Sequence, residues 1–189
     1  MKDIIEDVKL LLNNYRNLFP EEYSSLDILD TQIKRDENII DRKNFNGHVT
    51  ASGLLILNNK KVLLVFHNKL RKYLQPGGHI SIEDKNLVSA AKREILEETG
   101  LNNFQLNEWC SKKQSPILID THSIPENKER SERTHYHHDF MFIFHAKNSG
   151  LLIKNNEISN FKWILIRDLL DSDTTTKKAL TKMIQLNVL

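Results

Sequence analysis

A chain of 189 residues that is 39% hydrophobic and 28% charged is sized and composed for one domain with a buried core. A net charge of only +2 gives no bulk attraction to a polyanion, so nothing in the balance argues for nucleic acid and no such partner is expected. The lone Cys110 excludes an internal disulfide, no apolar run is long enough to cross a bilayer, and the acidic start lacks a leader pattern, so the expected location is the cytoplasm, away from membranes.

In chain order, residues 1–19 space Ile4, Val8, Leu11, Leu12, Tyr15 and Leu18 three and four apart, which predicts an amphipathic helix ended by Pro20. A second helix is expected over about 26–42, with Leu26, Leu29, Ile33 and Ile40 on its buried side. Residues 1–44 thus read as an N-terminal helical extension packed on the core, one that could also build a homodimer face. Residues 45–189 read as the main domain. Runs 49–57 and 61–67 are rich in β-formers and flank a turn at Asn58-Asn59-Lys60, and Leu74-Gln75-Pro76-Gly77-Gly78 is a breaker cluster. Residues 86–99 predict a helix that Gly100 stops. Strands are expected near 103–110, 116–124, 134–146 and 158–166, and a last helix over 174–187. Helices and strands do not alternate regularly, so the fold class is α+β.

The segment Arg93-Glu94-Ile95-Leu96-Glu97-Glu98-Thr99-Gly100-Leu101 carries the strongest chemistry. On a helix, Glu94, Glu97 and Glu98 share one face, at i, i+3 and i+4. Like charges so placed repel. Divalent ions that prefer hard oxygen ligands, Mg²⁺ or Mn²⁺, would remove that repulsion. A solvated acidic face is the plainer reading of three such glutamates alone. Context counts against it. Leu87, Val88, Ala90, Ala91 and Ile95 give the helix an apolar side, and Gly77-Gly78 upstream lets backbone approach a phosphate or a metal.

Residues Gly78 to Leu101, GHISIEDKNLVSAAKREILEETGL, resemble the Nudix box, G-x5-E-x7-R-E-U-x-E-E-x-G-U, where U is a bulky aliphatic residue. The second half matches at every specified position. The first half is one residue longer, and its acidic position falls to Glu83 or Asp84. The segments around Gly47 to Ser52, Val62 to Val65 and Leu74 to His79 extend the resemblance over roughly 45–170, to a bacterial branch with a PGGH variant. The resemblance implies a Nudix α/β/α sandwich with a mixed sheet, here with an added N-terminal helical segment. It implies a pyrophosphohydrolase that cleaves a diphosphate bond in a nucleotide or nucleoside diphosphate derivative with Mg²⁺ or Mn²⁺. By the match, Glu94, Glu97 and Glu98 are the metal ligands, the Gly77 carbonyl completes a metal site, and Arg93 orients a box glutamate. Glu94 or a residue outside the box would be the base. A non-catalytic nucleotide-binding module of the same family is the alternative. Isopentenyl diphosphate isomerase shares the fold, but Cys110 lacks that enzyme's surrounding motif.

A second constellation lies in Thr134-His135-Tyr136-His137-His138-Asp139-Phe140. Strand alternation puts His135, His137 and Asp139 on one face and His138, Phe140, Phe142 and Phe144 on the other. If this run pairs antiparallel with 117–122 around a loop at 125–133, His122 faces His137 and Asp120 faces Asp139. Such a patch, with Gly78 and His79, could bind substrate, supply the base or hold a further metal. A hydrogen-bonded polar edge is the structural alternative. Cys110 beside Trp109, and Phe161 with Trp163, read as packing.

Overall fold

The computed structural model describes residues 2–128, 131–150, 158–171 and 174–189. Residues 129 and 130 of the expected 125–133 loop lie outside these. The first helix, α1 (Lys2–Leu18), ends before Pro20, which opens a 3₁₀ stretch (Pro20–Leu26) leading into α2 (Asp27–Lys34). The helix expected to reach 42 therefore stops eight residues sooner. Asp36 adopts a left-handed φ of 54°, and the backbone beyond it turns so that the Ile39 carbonyl accepts from Val49 N. Ile39 and Ile40 are buried all the same, from irregular chain.

The strands β1 (His48–Leu57), β2 (Lys61–His67), β3 (Lys72–Leu74) and β4 (Gly77–His79) follow. Asn58 and Asn59 both take positive φ, 51° and 52°, the geometry a tight hairpin needs and asparagine tolerates. Next come α3 (Leu87–Thr99), β5 (Phe104–Leu106) and α4 (Glu108–Lys113). One strand was expected over 103–110. Instead Asn107 caps a helix, its side chain accepting from Trp109 N, so the strand closes after Leu106. The chain ends with β6 (Leu118–Ile124), β7 (His135–Ala146), β8 (Ile158–Leu165), a short α5 (Ile166–Leu169) and α6 (Thr175–Gln185).

Strand order is β3-β2-β1-β7-β5, with β4 on β1, β6 on β7 and β8 on β2. The central β1 and β7 run parallel from His48↔His137 to Leu57↔Ala146, and the other pairings are antiparallel, so the sheet is mixed. After two pairs β1 leaves β2, and its N-terminal half takes β4 instead, at Thr50↔His79 and Ser52↔Gly77. That switch brings the glycine loop into the plane of the sheet.

Alternation along β1 and β7 sorts the core into two layers. Val49, Ala51, Leu55, Phe140, Phe142 and Phe144 face α1 and α3, while Leu54, Ile56, Met141 and Ile143 face α5 and α6. Gly53 lets α3 approach: a Cβ there would lie 2.4 Å from Ile95 Cδ1. The helix is held at both ends. Asn86 and Ser89 form a reciprocal cap at its start, Asp7 of α1 accepts from Leu87 N at 2.8 Å, and Gly100 (φ 68°) closes it.

One ion pair ties the extension to α6. Lys182, nearly buried, lies 2.6 Å from Glu22 and donates to Tyr15, which itself donates to Glu22. Burial depresses the Lys182 pKa, and Glu22 opposes that. Glu22→Ala takes the carboxylate partner from this ammonium and should cost about 2 kcal/mol, whereas Lys182→Met leaves behind the more exposed Glu22 and should stay within about 1 kcal/mol. Urea denaturation of both variants checks this, and equal losses would contradict the asymmetry.

Candidate active site

Helix α3 presents its carboxylates to the edge of β4. Glu98 is buried and accepts from Gly77 N at 3.2 Å. Glu94 stands against Gly78 so closely that a Cβ there would come within 2.8 Å of its carboxyl carbon. Glu97, one turn beyond Glu94 on the same side, is exposed. Burial pushes the Glu94 carboxyl above its ordinary range, and the Arg93 guanidinium opposes this.

Arg93 organises the group. It donates to Asp84 through Nε and Nη2 (3.1 and 2.9 Å), to Glu94 and Glu97 through Nη1 (2.8 and 3.2 Å), and to the His79 carbonyl through Nη2 (2.8 Å). Asp84 is buried and also accepts from Ser81 N, whereas Glu83 is exposed. The acidic partner that the longer loop left open between the two is therefore Asp84. Three carboxylates on one face with one guanidinium among them form a hard-oxygen donor set that suits Mg²⁺ or Mn²⁺.

The second constellation forms in the expected register, His122↔His137 and Asp120↔Asp139. It lies on the sheet face opposite α3, and the parallel pairing adds His48, directly beside His137. His79 joins from β4, its ring centroid 5.0 Å from His48 and 5.2 Å from His137. Strand β4 thus touches both groups, Gly78 against Glu94 on one face and His79 against the histidines on the other. Burial, reinforced by neighbouring histidines, lowers the His79 pKa to about 4 and the His137 pKa to about 2, so these rings are neutral. His122 moves the other way, raised by its 2.9 Å hydrogen bond with Asp120. Asp139 is buried and committed, accepting from Thr50 Oγ1 (3.1 Å) and Ser52 Oγ (2.5 Å). On the α3 side, His138 bonds Gln32 and Thr121.

A family model for the NUDIX domain matches residues 47–185. The chain belongs to the Nudix family. It has that family's fold, an α+β sandwich about a mixed sheet with N-terminal helices added, and is an enzyme of the pyrophosphohydrolase type. Among solved structures it is similar to a Clostridium perfringens NUDIX-family hydrolase (26% identity over 71% of this chain and 96% of the other, TM-score 0.48). It also resembles a C. elegans Ap4A hydrolase (18%, 74% and 96%, TM-score 0.52) and the NUDIX domain of Shewanella oneidensis NrtR with ADP ribose (18%, 78% and 93%, TM-score 0.52). The latter two likenesses are likenesses of fold. No curated protein matches the sequence.

Within this Nudix domain Cys110 lies in α4 in the core, and burial pushes its thiol up to about 12, as a packing residue's would be. A cleft of about 790 Å³ opens between the extension, β6 and α6, lined in part by Glu22, Asp120, Lys178 and Lys182. None of the box glutamates lines it. No helix among the described residues is long and apolar enough to cross a membrane. Sequence reasoning gave His48 no role of its own. The available signal was the alternation His48, Thr50, Ser52, three polar side chains on one face of an otherwise apolar strand.

Proposed function

We propose that this Nudix enzyme hydrolyses the diphosphate bond of a nucleotide or nucleoside diphosphate derivative using Mg²⁺ or Mn²⁺. Glu94, Glu97 and Glu98, with the Gly77 carbonyl, are the proposed ligands. The observation that carries the reading is the aim of Glu94 and Glu98 at the two glycines of β4, where backbone can approach a phosphate. Bound there, the ions would neutralise the phosphate oxygens and lower the pKa of water. Arg93 fixes the Glu94 and Glu97 carboxylates in place. Glu94, enclosed beside Gly78, is the group assigned to take the water proton, a role worth about 10²–10⁴-fold. Gly78, against Glu94, and His79, whose carbonyl accepts from Arg93 while its ring turns to the other sheet face, are the proposed substrate contacts.

The Ap4A hydrolase and the NUDIX domain bound to ADP ribose are named for ligands with phosphates joined as anhydrides, which supports that bond as the target. A lone buried cysteine fits the cytoplasm. The domain division, extension 1–44 and enzyme domain 45–189, belongs to the same proposal. Phosphate release from a panel of nucleotide derivatives tests it. Chelation should abolish release and Mg²⁺ restore it, while turnover unchanged by chelation would remove the metal assignment and no turnover on any compound would favour a binding module.

A further inference from the structure

We infer that His48, His135 and His137 form a second metal site, built of imidazole nitrogen, that takes Zn²⁺ and is separate from the glutamate site. One ring nitrogen from each lies within 4.8 Å of the other two. The tautomers point the same way. A carbonyl can only accept, so His48 Nδ1, 3.3 Å from the Asn44 carbonyl, and His135 Nδ1, 2.6 Å from the Arg133 carbonyl, carry the hydrogens. With each Nδ1 bound to a backbone carbonyl, Nε2 is the nitrogen each ring has left to offer a metal, the arrangement that backbone carbonyls impose on metal-ligating histidines.

His135 Nε2 and His137 Nε2 lie 3.3 Å apart. Two nitrogens bound to one tetrahedral Zn²⁺ at about 2.05 Å stand about 3.3 Å apart. A proton shared by that pair accounts for the contact without metal, but not for His48. Its Nε2 is buried with no hydrogen-bond partner, and an unsatisfied buried acceptor is costly. A cation among the three satisfies it.

Imidazole ligands select Zn²⁺ and its borderline neighbours, whereas Mg²⁺ prefers the oxygens across the sheet. Asp139 and Asp120 lie two residues further along the same face and favour a cation nearby. Three protein ligands leave one position, and His79 stands beside it, packed on both His48 and His137. The loop before His48 is held over the site by the 2.8 Å Arg42–Glu132 pair and by Gln32, which donates to the Gly47 carbonyl. The N-terminal segment thus helps to set the ligand geometry.

The test loads metal-free full-length protein with Co²⁺ and then Zn²⁺. The expected result is one Co²⁺ per chain with the intense visible absorption of a four-coordinate site, displaced by Zn²⁺ and unchanged in Glu97→Gln. His135→Ala and His137→Ala should lose that absorption and bind Zn²⁺ more than about 100-fold more weakly, beyond the loss an outer-shell change causes. A wild-type spectrum of weak six-coordinate type, or full absorption retained in both histidine variants, overturns the assignment. If neither variant folds, NMR of the Co²⁺-loaded wild type decides, since an absence of strongly shifted imidazole N–H signals is fatal. Because Glu97→Gln disables the proposed hydrolytic site alone, the two readings fail separately.

Discussion

Glu97→Gln and Glu98→Gln should each lower turnover at least about 100-fold, through lost neutralisation of charge at the phosphates. Both changes keep shape and remove one negative charge. Glu97 is exposed, so its variant should fold as the parent does, and any loss of rate is a loss of chemistry. Glu98 is buried and accepts from Gly77 N, a bond that a glutamine oxygen can still accept. β4 should therefore stay in place while the proposed ligand set weakens. The distinguishing readout is a Mg²⁺ titration of rate: the variants should need more metal for half-maximal turnover, as a lost ligand requires. Near-normal turnover in both would remove the metal role from this helix face.

The parts of the fold legible in the sequence were those governed by neighbours along the chain. The box helix was bounded correctly because its stops are local, an asparagine cap at Asn86 and a left-handed Gly100. The β6–β7 register followed from alternation across one loop, and His122 does face His137. Local rules failed where a competing signal was short. Asn107 could have been read as a helix cap, and the positive φ at Asp36 ends a pattern whose apolar residues stay buried from irregular chain. The parallel pairing of β1 with β7 joins residues far apart in sequence, and no spacing rule announces it. That pairing brings His48 to His137, so the histidine site emerges only from the tertiary structure. Likewise the choice between Glu83 and Asp84 turned on which side chain the loop buries against Arg93.

Arg93→Ala should cost about 3 kcal/mol of stability and reduce turnover more than about 100-fold. The two losses have different origins. Asp84 is almost wholly enclosed, its side chain 4% exposed, and Arg93 is its ion-pair partner; removing the guanidinium leaves a buried carboxylate to protonate or to pull the loop open. The rate falls because the same guanidinium holds Glu94 at 2.8 Å and the His79 carbonyl at 2.8 Å, fixing a carboxylate and the glycine strand in one frame. Arg93→Lys should recover little of either. An ammonium is a single point donor and cannot span two Asp84 oxygens, a glutamate and a carbonyl together. Urea denaturation and steady-state kinetics on the two variants check this. An Arg93→Lys enzyme with parental stability and rate would show that charge alone matters at this position, and the framing role would have to be abandoned.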